Sequence, residues 1–170
     1  MAKISLSPKF IKETLMLFRE RSLKEIFFGK KVEFTVQEER IARLLKENSE
    51  EFRKSGGRQG TLVKIDPIHK GVGTVYLLPN QLGNHKTESL LLFDKDIKIT
   101  AGPDLWIYLS TNEDVKKNGL GEYLQLMLLK GTKGGQSYTV SKTLTELEKF
   151  KSVVVWCKQF EVLFTYAILF

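Results

Sequence analysis

Glycine divides this chain, and the division limits what each part can become. Only one of the 13 glycines, Gly29, lies before residue 56. A helix interior disfavours glycine by about 1 kcal/mol relative to alanine, whereas turns between strands use it freely. The glycine-poor part therefore reads as helical and the glycine-rich part as short strands joined by turns.

The first part carries helix signals. Ser7-Pro8 has the form of an N-cap followed by proline at the first helical position. Ile11, Leu15 and Phe18 recur at helical spacing, and Gly29 is placed to end that segment. A second helix is expected from Thr35, whose pairing with Glu38 has the form of a capping box. Ile41, Leu44, Leu45 and Phe52 make its apolar stripe, and Gly56-Gly57 stops it. Such helices pack on each other or on the domain that follows; a helix hairpin for docking a partner is the sharper alternative.

Beyond Gly57 the pattern predicts strands at 60–65, 73–78, 89–93, 97–99, 104–110, 123–129, 136–140, 153–157 and 160–169. Turn signals separate them at Pro79-Asn80, Gly102-Pro103, Asn118-Gly119 and the glycines of 131–135. Residues 144–150 suit one short helical turn. The expected fold is mainly β, an antiparallel β-sandwich or barrel with an N-terminal helical extension. The extension spans 1–57 and the β domain 58–170.

The stretch 152–170, SVVVWCKQFEVLFTYAILF, is long and apolar enough to raise the question of a membrane span. Lys158 and Glu161 near its middle would each cost about 2.5–3.5 kcal/mol in a spanning helix. Two consecutive buried strands are the better reading, so no transmembrane segment is expected in this chain. The opening residues MAKISLSPKF lack the apolar run of a secretory signal. The chain is therefore expected either in the cytoplasm or with a targeting or anchoring segment outside this version of it.

Net charge is +7, but 20 acidic residues are interspersed among 27 basic ones, which reads as a soluble surface rather than a nucleic-acid site. Trp106 and Tyr108 alternate on one strand and have the spacing of a base-stacking platform, yet half-buried sheet positions explain them equally and no basic cluster flanks them. A single cysteine excludes an internal disulfide and a multi-cysteine zinc site. His69, His85 and Cys157 are too far apart for a local metal motif. The chain has no GxSxG, HExxH or Rossmann fingerprint. The run GTKGGQ at 131–136 lacks the GK[ST] ending of a phosphate loop and is expected to be a hairpin turn.

Cys157 has two readings. On a strand it shares a face with Val153 and Val155, while Val154, Trp156 and Lys158 share the other. If Lys158 faces water, Cys157 points into the core, where a thiol has a raised pKa and is inert. If the strand ends there, before Lys158-Gln159, the thiol is exposed and the Lys158 charge favours the thiolate.

The segment 150–169, FKSVVVWCKQFEVLFTYAIL, resembles the C-terminal signature of the DM-thirteen domains, also called electron-transfer DM domains. The elements of that likeness are Val154-Val155-Trp156-Cys157, then Phe160, Val162 and Phe164, then Ala167 and Leu169. Gly60, His69 and Gly73, the strand GPDLWIYLS at 102–110, and Leu129-Lys130-Gly131 with Gly134, Gln136 and Tyr138 resemble further family motifs in order. Met127 and Ser141 depart from the pattern at a glycine and a proline position.

The resemblance implies a β-rich, usually extracytoplasmic or cell-surface module found beside cytochrome-like and other redox modules. It implies that Cys157 is the redox residue, as a bare thiol or as the ligand of a prosthetic group such as haem. Trp156 and His69 would then shape its pocket, and the partner would be a redox protein. Nothing resembles a base, acid and nucleophile set for turnover chemistry. The alternative is a non-catalytic sandwich that binds through its loops, with Cys157 purely structural.

Overall fold

The computed structural model describes residues 23–80 and 87–170. The helix expected around Ile11, Leu15 and Phe18 lies outside the described residues, as does His85. Gly29 does end a helix, α1 (Leu23–Phe28). Its φ of 75° is a left-handed conformation, and its N–H bonds back to the Glu25 carbonyl at 2.9 Å.

Thr35 caps α2 (Val36–Glu47) in a complete capping box: its side chain accepts from the Glu38 N–H, and the Glu38 carboxylate accepts from the Thr35 N–H at 2.7 Å. The single helix expected through Phe52 is two. Asn48 leaves helical geometry, at φ −123° and ψ 50°, and α3 (Ser49–Lys54) follows it. The break turns Phe52 inward, onto the edge of Tyr76 with ring centroids 5.8 Å apart.

The strands are β1 (Arg58–Thr61), β2 (Gly71–Val72), β3 (Thr74–Pro79), β4 (Ser89–Phe93), β5 (Lys98–Ile99) and β6 (Leu105–Ser110). After a short helix, α4 (Val115–Asn118), come β7 (Tyr123–Leu128), β8 (Gln136–Val140), β9 (Ser152–Cys157) and β10 (Val162–Ile168). All pairings between these strands are antiparallel. They make one sheet in the order β1-β3-β4-β8, a second in the order β10-β9-β6-β7, and a small pair β2-β5. The fold is therefore an open sandwich and not a barrel. The apolar stretch 152–170 is β9 and β10, and no described helix is long and apolar enough to cross a membrane.

Alternation assigns the faces. Val75, Leu77, Leu91, Phe93 and Tyr138 of the first sheet meet Leu105, Ile107, Val153, Val155 and Cys157 of the second in one core. The opposite face of the first sheet, Tyr76, Leu78, Leu90 and Leu92, lies under Ile41, Ala42 and Phe52 of the helices. With both faces covered, β4 reads SLLLF, a run that burial on two sides requires. Each leucine there is fully buried, worth about 1.5–3 kcal/mol relative to exposure.

The glycine run after β7 is not the expected hairpin turn. β7 pairs with β6 and β8 with β4, so residues 129–135 carry the chain from one sheet to the other. Gln136 pins this crossing by accepting from the Gly131 N–H and donating to the Gly131 carbonyl, at 3.0 and 2.8 Å. The Tyr138 hydroxyl accepts from the Lys130 N–H at 2.8 Å and donates to Gln136 Oε1. Residues 144–150 form successive tight turns, opened by Thr143 and Glu146 bonding each other in capping-box fashion.

Candidate functional site

Cys157 is the last residue of β9, paired with Leu105 of β6 on one side and Val162 of β10 on the other. Strand alternation sends its side chain inward beside Val155, because Lys158 faces water. The thiol is 0% exposed, which is the first of the two readings the sequence allowed.

The chain then turns through Lys158, Gln159, Phe160 and Glu161 into β10. Glu161 closes this turn at φ 54°, a left-handed conformation that costs a non-glycine residue about 1–2 kcal/mol. Burial pushes the Cys157 thiol above its ordinary pKa; backbone hydrogen bonds from Phe160, Asp104 and Gln159 oppose this by supporting the thiolate. Gln159 and Phe160 are the second and third residues after Cys157, the positions from which a Ser or Asp side chain collects N–H groups in a turn.

Asp104 is the hinge of the surroundings. Its carbonyl accepts from the Lys158 N–H at 2.9 Å, and its carboxylate accepts from Trp106 Nε1 at 2.7 Å. Trp106 stands directly across from Trp156 on the neighbouring strand, and the Lys158 ammonium lies 5.1 Å from its ring centroid. Both indoles are half-buried on the outer face of the second sheet, in a cluster with Tyr108 and Leu163.

The structure therefore separates two residues that the family resemblance grouped. Trp156 precedes Cys157 along the strand but projects to the opposite face of the sheet. Tyr108 is only 4% exposed, which leaves its ring no open face for a nucleobase. His69 ends a tight turn in which the Asp66 carboxylate accepts from the N–H groups of Ile68 and His69. Its Nδ1 lies 2.7 Å from Asp66 Oδ2, and its ring meets the edge of Phe164 at 4.6 Å between centroids. Phe164 belongs to the same core as Cys157, so His69 approaches the cysteine region across that ring. Gly102 admits Phe164, since a Cβ there would lie 2.7 Å from the ring.

The hydrogen bond with His69, helped by the surrounding backbone, holds the Asp66 carboxyl down at about 2. A depressed carboxyl contributes stability that is present above its unfolded value, near 4, and is lost as pH falls toward 2. His69→Ala is expected to raise the Asp66 midpoint toward the ordinary range while leaving the part of the depression that the Ile68 and residue-69 backbone N–H groups supply, read from its carbon chemical shift against pH. An unmoved midpoint would remove His69 as the cause.

A porphyrin ligated by Cys157 needs a slot against the sulfur. Cys157, Leu105, Ile107 and Val155 are all 0% exposed, so not even a water-sized gap borders them. These residues do not fit a haem. No cluster of three or more His, Cys, Asp or Glu occurs among the described residues.

Sequence reasoning finds Cys157 but misses Asp104. The available signal is its spacing: Asp104 and Trp106 lie two apart at a strand start, hence on one face. Residues 63–169 match the family model described as Electron transfer DM13. No curated protein and no solved structure matches the chain.

Proposed function

The chain belongs to the electron transfer DM13 family, and from that premise we propose that Cys157 is its redox residue, working as a bare thiol sealed in the sandwich. The supporting observation is that the single cysteine of the chain lies within the matched residues 63–169, sealed at the end of β9 beside the Asp104–Trp106 pair. Burial raises the thiol, so its resting form is protonated, and neighbouring backbone N–H groups offset only part of that. Complete burial keeps out thiols and other bulky reactants, which disfavours disulfide exchange. Electrons reach a buried site through the intervening bonds, and a partner redox module is the counterpart this chemistry requires. In the step, the thiol loses one electron to an oxidised partner and its proton to water, and a reduced donor reverses it.

The test is voltammetry of the wild-type protein beside Cys157→Ser and Cys157→Ala, with folding checked by circular dichroism. A reversible one-electron wave, absent from both folded variants, is the expected result. A wave that survives in both variants, or no wave in the wild type, would reject the cysteine as redox residue. The same complete burial favours a second reading, a binding sandwich in which Cys157 only packs. That reading predicts lower stability in the variants and no electrochemical signature in any of the three proteins.

A further inference from the structure

The proposed sulfur has no surface of its own, so an electron must enter or leave through another residue. The geometry points to Trp106 as that relay, coupled to Cys157 by Asp104; the inference rests on the redox reading above.

Asp104 bonds toward both ends. Its carbonyl accepts from the N–H of Lys158, the residue bonded to Cys157, at 2.9 Å, and its Oδ1 accepts from Trp106 Nε1 at 2.7 Å. A continuous path therefore runs from the sulfur along the backbone to the Lys158 N–H, across to Asp104, along its side chain, and across the indole hydrogen bond. Trp156 offers a parallel connection: it is covalently next to Cys157 and in register with Trp106. The route starts in the core and ends on a half-buried indole at the outer face of the second sheet.

The polar groups around Trp106 suit a residue that loses an electron together with a proton. A carboxylate on Nε1 is a ready proton acceptor. The Lys158 ammonium near the ring disfavours a positively charged indole and therefore favours the neutral radical.

The steps balance. A one-electron oxidant takes an electron from Trp106, and the Nε1 proton moves to the Asp104 carboxylate. The neutral indolyl radical then takes an electron from Cys157. The proton held on Asp104 returns to Nε1, and the thiol proton leaves to solvent. The net change is one electron to the oxidant and one proton to solvent, with Trp106 restored and a thiyl radical at Cys157.

Flash-quench oxidation with photogenerated tris(bipyridyl)ruthenium(III) tests this, with the tryptophan radical followed by transient absorption and electron paramagnetic resonance. In the wild type a neutral tryptophan radical is expected to form and decay quickly as Cys157 is oxidised. In Cys157→Ala it should form at the same rate and live at least several-fold longer. Asp104→Asn removes the proton acceptor while keeping an oxygen for the hydrogen bond, so it should give a protonated radical cation instead. Trp106→Phe should slow oxidation of Cys157 several-fold in a protein that is still folded. Equal radical lifetimes with and without Cys157 would overturn the relay. Unchanged oxidation of Cys157 in Trp106→Phe would overturn it too, while leaving the redox reading standing. A cysteine that stays reduced through repeated flashes, although the tryptophan radical forms, would reject both.

Discussion

Alkylation of Cys157 is expected to run at least about a thousand-fold slower in the native protein than in denaturant at the same pH. The thiol is 0% exposed and its strand lies between β6 and β10, so a reagent reaches it only when the sandwich opens. Even about 5 kcal/mol of stability holds the open form at roughly one part in several thousand. The native reaction should accordingly accelerate with denaturant in parallel with unfolding. A fast native reaction at low denaturant would show that the 158–161 turn opens by itself and exposes the sulfur locally.

The same thiol carries a pH signature. Burial raises its folded-state pKa, so the folded protein retains a proton that the unfolded chain gives up. Its contribution to stability is complete below the unfolded value, about 8.5, and is lost as pH rises from there through the raised folded value. Within that window the slope reaches about 1.4 kcal/mol per pH unit. Cys157→Ala should abolish this part of the decline, measured by urea unfolding from pH 7 to pH 10. Tyr76, Tyr108 and Tyr166 are also raised by burial and add their own decline at higher pH, which the variant should retain.

Gly134→Ala is expected to cost about 3–4 kcal/mol, several times more than an ordinary surface substitution. Gly134 sits at φ 88°, and a Cβ there would fall on the Val32 carbonyl oxygen, a backbone atom with little freedom to move. Backbone conformation alone accounts for about 1 kcal/mol. The remainder comes from displacing the segment before α2, which runs along the glycine crossing. Val32 N–H donates to the Lys133 carbonyl at 2.8 Å and Thr132 N–H to the Lys30 carbonyl at 2.9 Å. Gly119 is the control, with φ 74° and nothing within 4 Å of where a Cβ would stand, so Gly119→Ala should lose only the backbone part. Equal urea midpoints for the two variants would mean that the segment before α2 does not bear on the crossing.

Several elements are legible in the sequence because their cause is local. The Thr35–Glu38 capping box needs only two side chains three residues apart, and α2 begins there. The apolar runs of β4 and β9 match their strands almost to the residue, since burial on both faces leaves no place for a polar side chain. β2 escapes a sequence reading because two residues display no period, and its partner β5 is distant in the chain, with Gly71 against Ile99 and Val72 against Lys98. The 131–135 crossing reads as a hairpin for a similar reason. Glycines announce a change of direction but carry no information on which sheet receives the next strand.

What the amino-acid order determined by itself was the mainly β fold, left open between sandwich and barrel, and the inward face of Cys157 once Lys158 was allowed to face water. Those follow from periodicity and from side chains whose preference for water or oil needs no partner. Tertiary structure alone decided that the helices roof the first sheet, that Trp156 stands back to back with Cys157, and that Asp104 ties Trp106 to Lys158, the residue after Cys157. Asp104 and Cys157 are far apart along the chain and become neighbours only because β6 pairs with β9. Such pairings arise from the packing of whole sheets, and no local preference of either residue encodes them.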